Sequence, residues 1–387
     1  MRERLNRILR IRWDVHRVPK ADVVIITSGD PEVLPEYFPD RRVLVVDIDS
    51  RNKFLASASQ AALRGRARLS GYLAEVINSS GAALAITTQD NLGEIYRIQE
   101  LLNNSTLILI QNGLRSSRND ISEVILRRAS RLRVGAYFAF SASQEAMIRD
   151  LAAGDFQVIG SFRSNHTPRK VSMSQIVSYV STFNPAVPLD HLIDFGEAGR
   201  TTYSDLLNNR LRTIKLLGTF CNSVGAAFQI IAKREGSEAI AEEDFYRKSL
   251  PSLDFEFRHK TSRYSSYESC YQSRVVVSTS SSLGVESLGR GTRTAILHAE
   301  GELTRDSSLR FGWPETTAPE GKFWSSSSNS ERCYEILSYL WSVSDSQWTQ
   351  DLRPYSRLIP LHDAGNSRFC GLLHGFGARS PFATQLE

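Results

Sequence analysis

The chain has 387 residues, 41% hydrophobic and 23% charged, which is too apolar for a disordered protein and too long for one ordinary domain. With 47 basic and 42 acidic side chains the net charge is only +5, too small an excess to argue for nucleic acid as a partner. The four cysteines, Cys221, Cys270, Cys333 and Cys370, have no CxxC spacing, which excludes a zinc ribbon and a disulfide scaffold and fits a reducing compartment.

Residues 1–20 concentrate charge: Arg2, Arg4, Arg7, Arg10, Arg12, Arg17 and Lys20 stand against Glu3 and Asp14. Leu5, Ile8, Leu9 and Trp13 are spaced roughly as one helical face. The segment therefore reads either as a basic amphipathic anchor on an anionic membrane or as a first helix packed on its own domain. No apolar h-region follows the charges, so a secretory signal is not expected. No apolar run is long enough to span a bilayer.

From residue 21 short β-branched runs alternate with helical stretches. The expected strands are Ala21–Thr27, Arg42–Ile48, Ala82–Thr88, Thr106–Asn112, Ala136–Ala142 and Phe156–Phe162. Each is almost continuously apolar, as parallel strands covered on both faces are. Helical spacing is expected over Asn91–Leu102, Ile121–Arg133 and Ser143–Ala153, with Asp120 and Ser141 or Ser143 as caps. The polar stretch Ser164–Ser174 reads as a linker. The rhythm then restarts with strands at Gln175–Ser181, Ala226–Lys233, Phe255–His259, Arg274–Thr279 and Thr292–Ala299, and a long helix near Tyr203–Cys221. The reading is α/β with two Rossmann-like domains, 1–165 and 175–355, and a tail, 356–387, that can cross back to the first. Ligands of such sheets sit at the carboxyl ends of the strands, here in a cleft between the domains.

Five loops at strand ends carry the chemistry. In Ser278–Gly291 (STSSSLGVESLGRG) the hydroxyls of Ser280, Ser281 and Ser282 and the amides opening a short helix suit a phosphate. Gly284 allows close backbone approach, and Glu286 suits the two hydroxyls of a ribose; the alternative is a plain capped turn with a surface glutamate. Ile110–Ile121 (IQNGLRSSRNDI) places Gln111, Asn112, Arg115, Arg118, Asn119 and Asp120 after a strand. Asp120, held ionised by two arginines, either serves as nucleophile or base or simply caps the next helix. Asp90 and Asn91 in Thr87–Tyr96, and Asp49 and Arg51 in Asp47–Asn52, either bind a hydroxylated substrate or form turns. His166 ends the first domain's last strand segment, where a lone histidine is more often structural than catalytic. Phe311–Trp324 has the aromatic, proline-containing make-up of a pocket wall. Walker A, GxGxxG, GxSxG and metal-box patterns are absent from the sequence.

Taken in order, VVDIDSRN, ITTQDNLGEIYRI, IQNGLRSSRNDI, VIGSFRSN, VVVSTSSSLGVESLGRG and FGWPETTAPEGKFW followed by ILSYLWSVSDSQW resemble the bacterial surface carbohydrate biosynthesis proteins. That group is read as GT-B glycosyltransferases, and it is similar to retaining transferases of 3-deoxy-manno-oct-2-ulosonic acid (Kdo) that use CMP-Kdo. The resemblance implies Gln111 as the strand-end residue, Asp120 as the nucleophile with Asn119 beside it, and an acceptor site in the first domain at Asp49, Arg51, Asp90, Asn91 and Arg115. The nucleotide would lie on Ser280, Ser281, Ser282, Gly284 and Glu286. It implies a cytoplasmic, metal-independent enzyme with no cofactor beyond its nucleotide-sugar substrate. Its acceptor would be a glycan or lipid-linked glycan, with residues 1–20 free to rest on the inner membrane's cytoplasmic face and no nucleic-acid partner. The sequence here departs from the Kdo-transferase pattern at ITTQDN and STSSS. The alternatives are a CDP-glycerol-type polyol-phosphate transferase and a non-catalytic sugar-nucleotide-binding subunit.

Overall fold

The computed structural model describes residues 12–29, 31, 33–115, 132–167, 174–194, 199–298, 303, 318–327 and 329–382. The chain divides into two compact units: unit 1 comprises residues 1–166 with 363–387, and unit 2 comprises 167–362.

Unit 1 is built on a six-stranded parallel sheet. Its opening strand, β1 (Arg12–Asp14), lies outside that sheet and pairs in parallel with β4 (Asn52–Phe54). Trp13 is thus on a strand, which corrects its expected place on a helical face; Leu5, Ile8 and Leu9 lie outside the described residues. The main sheet contains β2 (Val23–Thr27), β3 (Val43–Asp47), β5 (Leu84–Thr87), β6 (Thr106–Ile110), β7 (Leu132–Ala139) and β8 (Ala152–Val158), in the order β3-β2-β5-β6-β7-β8. Every residue of β2 and β5 is buried, as their unbroken apolar runs require.

Strands β7 and β8 begin earlier than the sequence suggests, and their register shifts between Arg133 and Ala136. Gly135 and Gly154 interrupt the apolar runs there. A Cβ at Gly154 would stand 2.6 Å from the Val134 carbonyl oxygen, so the bulge needs a bare backbone. Helices α1 (Leu55–Leu63) and α2 (Leu69–Ser80) link β4 to β5. Instead of the helix expected over 91–102, the chain forms two tight 3-10 turns, Ile95–Arg97 and Gln99–Leu101. Gln99 holds this path by accepting from the Leu107 amide at 2.7 Å and donating to the Ser105 carbonyl at 3.2 Å. Helix α3 (Ala142–Arg149) is capped by Ser141, and α4 (Phe162–His166) closes this part of the unit.

Unit 2 centres on β9 (Ile176–Val180). After the hairpin β10 (Leu192–Asp194) and β11 (Arg200–Thr202), helix α5 (Tyr203–Val224) starts at a reciprocal capping box between Thr202 and Asp205 and stops at Gly225, φ +65°. Then come β12 (Ala227–Ile231), α6 (Gly236–Ser249), β13 (Glu256–Arg258), α7 (Ser265–Gln272), β14 (Val275–Ser278), α8 (Ser282–Gly289), β15 (Thr294–Leu297), β16 (Glu320–Gly321) and β17 (Trp324–Ser325). The sheet order is β13-β12-β9-β14-β15-β17-β16, parallel except for the final hairpin strand β16. The chain builds outward from β9 on one side and then crosses to β14 on the other, so its direction switches between β9 and β14. Helices α9 (Ser330–Ser342) and α10 (Asp345–Leu352) complete the unit.

The last described segment belongs to unit 1 and includes α11 (Ser367–Leu372). There Phe369 is fully buried among Tyr37, Phe38, Phe138 and Phe162. All four cysteines are free thiols. Among the described residues no helix is long and apolar enough to cross a membrane, and no three His, Cys, Asp or Glu side chains converge as a metal cluster.

Candidate functional site

The switch between β9 and β14 puts two strand ends side by side: Ser181–Phe183 after β9 and Ser278–Ser282 after β14. Crevices of this kind, beyond the carboxyl ends of parallel strands, are where open α/β sheets take ligands. Thr279 is 1% exposed and Thr182 is 8% exposed, yet neither hydroxyl has a hydrogen-bond partner. A buried hydroxyl left without a partner costs about 1–3 kcal/mol, so two on adjoining strand ends leave hydrogen-bonding capacity open there.

The serine turn packs tightly beside them. The Ser281 amide donates to the Ser278 hydroxyl at 3.3 Å, and the Ser281 hydroxyl in turn accepts from the Leu283 amide at 3.3 Å, capping α8. Ser280, Ser281 and Ser282 are half-buried. Gly284 lies inside α8, where a Cβ would stand 2.3 Å from the Ser278 Cβ. Its role is thus to let the helix lie against the end of β14. Glu286 is neither a surface residue nor at the turn itself: it is 3% exposed and stands near Cys270 of α7. Burial pushes that thiol up to about 12, with the Glu286 charge adding to the rise.

A cationic group on the other side of β9 escapes a reading of the sequence by motif. Lys233 and Arg234 follow β12 directly, Arg210 comes from α5, and Lys260 follows β13. Desolvation first, then the neighbouring charges of Arg234, Arg210 and Lys260, hold the Lys233 ammonium below its usual value. Arg234 Nε reaches the Phe183 carbonyl at 3.5 Å, tying the group to the end of β9. The loop is fixed by Glu242 of α6, fully buried, which accepts from the amides of Lys233 (3.2 Å) and Arg234 (3.0 Å). Burial pushes the Glu242 carboxyl up, opposed by Ser181, those two amides and Arg234. The one sequence signal was a basic pair placed immediately after an apolar strand run.

In unit 1 the corresponding edge is occupied by an internal network. Asp90, with no exposed surface, accepts from Arg115 through both Nε (2.9 Å) and Nη2, from Tyr137 Oη (2.8 Å) and from the Asn112 amide (3.2 Å). Burial pushes this carboxyl up, and the Arg115 guanidinium, the Tyr137 hydroxyl and the amide oppose it. Three of the four donors can only donate, so the arrangement is that of a carboxylate. Gln111 is equally committed: its Oε1 accepts from the Phe140 amide at 2.8 Å, and its Nε2 donates to Gly113 and Gln144 at 2.7 and 2.6 Å. Asp90, Arg115 and Gln111 therefore position the loop after β6, and none of their polar groups named here points to a bound sugar. Asn119 and Asp120 lie outside the described residues, as does Arg118.

The remaining expected residues scatter. Asp49 is exposed and accepts from the Ser28 hydroxyl, while Arg51 and Asn91 are exposed. Asp47, beneath Asp49, is partly desolvated, but the amides of Gly29, Asp49 and Ser50 and the Lys53 charge carry its carboxyl below the usual range. His166 bonds Tyr37 Oη through Nδ1 at 3.0 Å and packs on Phe382, and burial lowers its pKa. It is a structural histidine. Of the aromatic loop, residues 311–317 lie outside the described set. Phe323 and Trp324 are buried against each other and against Tyr355, in the core of unit 2.

Comparison with known proteins bears on fold and family. A family model described as "putative O-antigen biosynthesis protein" matches residues 108–376. No curated protein matches the chain. Among solved structures, S. aureus MnaA in a co-structure with UDP is 10% identical over 92% of this chain and 96% of its own, with a TM-score of 0.53. The wall teichoic acid polymerase TagF, soaked with CDPG, is 14% identical over 96% of this chain and 91% of its own, with a TM-score of 0.50. Methanocaldococcus jannaschii UDP-GlcNAc 2-epimerase, in complex with UDP-GlcNAc and UDP, is 11% identical over 92% of this chain and 99% of its own, with a TM-score of 0.50. These likenesses establish a GT-B-like α/β fold.

Proposed function

The chain belongs to the O-antigen biosynthesis protein family, and from that premise we propose that it is a glycosyltransferase that takes its nucleotide-sugar donor on unit 2. One observation carries the placement: the buried, unpartnered hydroxyls of Thr182 and Thr279 flank the switch between β9 and β14. Beside them the Ser280–Ser282 turn and the start of α8 supply donors for a phosphate, and Lys233, Arg234 and Arg210 supply positive charge. Such donors offset the charge of a leaving nucleotide without requiring a metal.

The proposed donor is CMP-Kdo and the acceptor a glycan or lipid-linked glycan bound by unit 1. In the retaining reaction the Asp120 carboxylate forms a bond to the anomeric carbon as the bond to the CMP phosphate breaks. An acceptor hydroxyl then displaces Asp120, which leaves as the carboxylate, and passes its proton to the departed CMP phosphate on the face it attacks. Asp90, Arg115 and Gln111 act as positioning residues for the loop that leads to Asp120, and Asp49, Arg51 and Asn91 remain the candidates for touching acceptor. A Kdo carboxylate suits the cations after β12. The same cations favour one second reading, a CDP-glycerol-type transferase, whose additional phosphate they would neutralise.

Calorimetry with CMP, CDP and UDP separates these readings. CMP binding tightest, with release of free Kdo from CMP-Kdo, is the expected result; CDP binding tightest supports the polyol-phosphate reading. Binding of none of the three, or unchanged CMP affinity in Lys233→Ala and Thr279→Val, removes the nucleotide from this edge.

A further inference from the structure

Residues 50–74 carry five basic side chains, Arg51, Lys53, Arg64, Arg66 and Arg68, and no carboxylate. Within this stretch α1 buries only Ser57 and Ala61 and turns Leu55, Ala56, Ser59, Gln60, Ala62 and Leu63 to solvent. Leu63 is 87% exposed, more than any other large apolar side chain among the described residues. Trp13 and Val15, also exposed, lie close by in the fold, because β1 pairs with the strand that runs directly into α1.

The tip beyond Leu63 is a built feature. Gly65 takes φ +67°, its amide donates to the Ala62 carbonyl at 2.9 Å, and the Arg66 amide donates to the Ala61 carbonyl at 2.7 Å. This paired closure of the helix end fixes the loop that bears the three arginines. Arg64 is pinned along the rim by Glu75 at 2.6 Å. Beside it a cavity of 470 Å³ is lined by Arg66, Arg68, Arg97, Ser70 and Tyr96, with Glu100.

We propose that α1 and the 63–68 loop of unit 1 form a docking surface for an anionic bilayer, distinct from residues 1–11. Leu63 and Leu55 enter the acyl boundary, the small uncharged face of α1 lies in the interface, and the arginines meet headgroup phosphates. Charge complementarity selects this occupant: the 50–74 stretch brings five cations, exposed leucines and no carboxylate of its own, with Glu75 taken up by Arg64 and Glu100 at the cavity as its acidic neighbours, and so suits a lipid layer that is negative outside and apolar within. Docking at this edge does not depend on which donor unit 2 takes.

The test is co-sedimentation of the full chain with phosphatidylcholine vesicles, with and without about a third phosphatidylglycerol. Wild-type protein binds the anionic vesicles, barely binds the neutral ones, and releases as salt is raised. Leu63→Glu lowers the partition coefficient about tenfold or more, and Arg66→Ser with Arg68→Ser lowers it while flattening the salt dependence. Leu63 supports no core, so the variant's melting transition stays that of the wild type. The proposal is overturned if wild-type protein ignores anionic vesicles, if Leu63→Glu binds as well as wild type, or if only deletion of residues 1–11 abolishes binding. A change of oligomeric state in Leu63→Glu without vesicle binding by the wild type also overturns it and assigns the face to a second copy of the chain.

Discussion

At the carboxyl edge of unit 1 Asp90, Arg115 and Gln111 are spent on one another and on their neighbours, whereas at the same edge of unit 2 two buried hydroxyls have no partner. Asp90 is surrounded by Arg115, Tyr137 and the Asn112 amide, and Gln111 uses both ends of its amide on neighbouring backbone and Gln144. In unit 2 two buried threonine hydroxyls lack partners, and burial first, then neighbouring cations, lowers the pKa of Lys233. Satisfied groups at a strand edge hold a loop still; unsatisfied ones are stabilised by whatever binds. The polar content of a strand-end loop therefore does not tell a saturated loop from one with hydrogen-bonding capacity to spare.

The comparison breaks most decisively at Asp120. If unit 1 supplies the reacting group and unit 2 the donor site, Asp120→Asn cuts transfer about 10⁴-fold, roughly 5.5 kcal/mol of barrier, and leaves CMP affinity unchanged. Intact-mass spectrometry after incubation with CMP-Kdo should show a glycosyl adduct on wild type alone. Transfer above about a tenth of the wild-type rate returns Asp120 to a helix cap.

Next in size is the buried ion pair. Asp90→Asn leaves the Arg115 guanidinium buried without its counter-charge and should cost about 3–5 kcal/mol in urea unfolding. A loss below about 1 kcal/mol would mean that the network is not what orders the loop.

Thr279→Val should move stability and binding in opposite directions. Removing an unpartnered hydroxyl leaves stability unchanged or raises it by up to about 1 kcal/mol, while nucleotide affinity falls by about 1 kcal/mol, roughly fivefold. Equal affinity in calorimetry would show that the hydroxyl is not waiting for a ligand.

The smallest effect is a pH dependence confined to unit 1. Burial depresses the His166 pKa below its unfolded value of 6.5, so the unfolded chain takes up a proton that the folded chain resists. Stability contributed there is present above pH 6.5 and declines as pH falls below it. Chemical denaturation between pH 7.5 and about 5 should show that decline in wild type and less of it in His166→Gln.

The strands were legible because a parallel strand covered on both faces has to be apolar throughout, as VVIIT and VVVS are. Where glycine and charge enter, at Gly135 and Gly154, the pattern loses the first residues of β7 and β8. Helix α1 went unread because its buried face consists of Ser57 and Ala61, too small to make an apolar stripe. The serine turn after β14 was visible as a local cluster, and so was the loop after β6. What could not be read was which of the two was saturated, since Asp90 meets Tyr137 across 47 residues and the pairing is set only by the sheet. The Lys233 cluster was hidden for the same reason, its members coming from α5, β12 and β13.

The return of residues 363–382 to unit 1 also governs how the protein can be made. Phe369 fills a space between Tyr37, Phe138 and Phe162, and Asn366 donates to Tyr37 Oη at 2.8 Å and to the Phe162 carbonyl at 3.0 Å. Unit 1 therefore leaves the ribosome with that space open and waits for roughly 200 further residues, about 10–40 s of synthesis, before its last piece arrives. Unit 2, encoded within that interval, has its whole sequence available first.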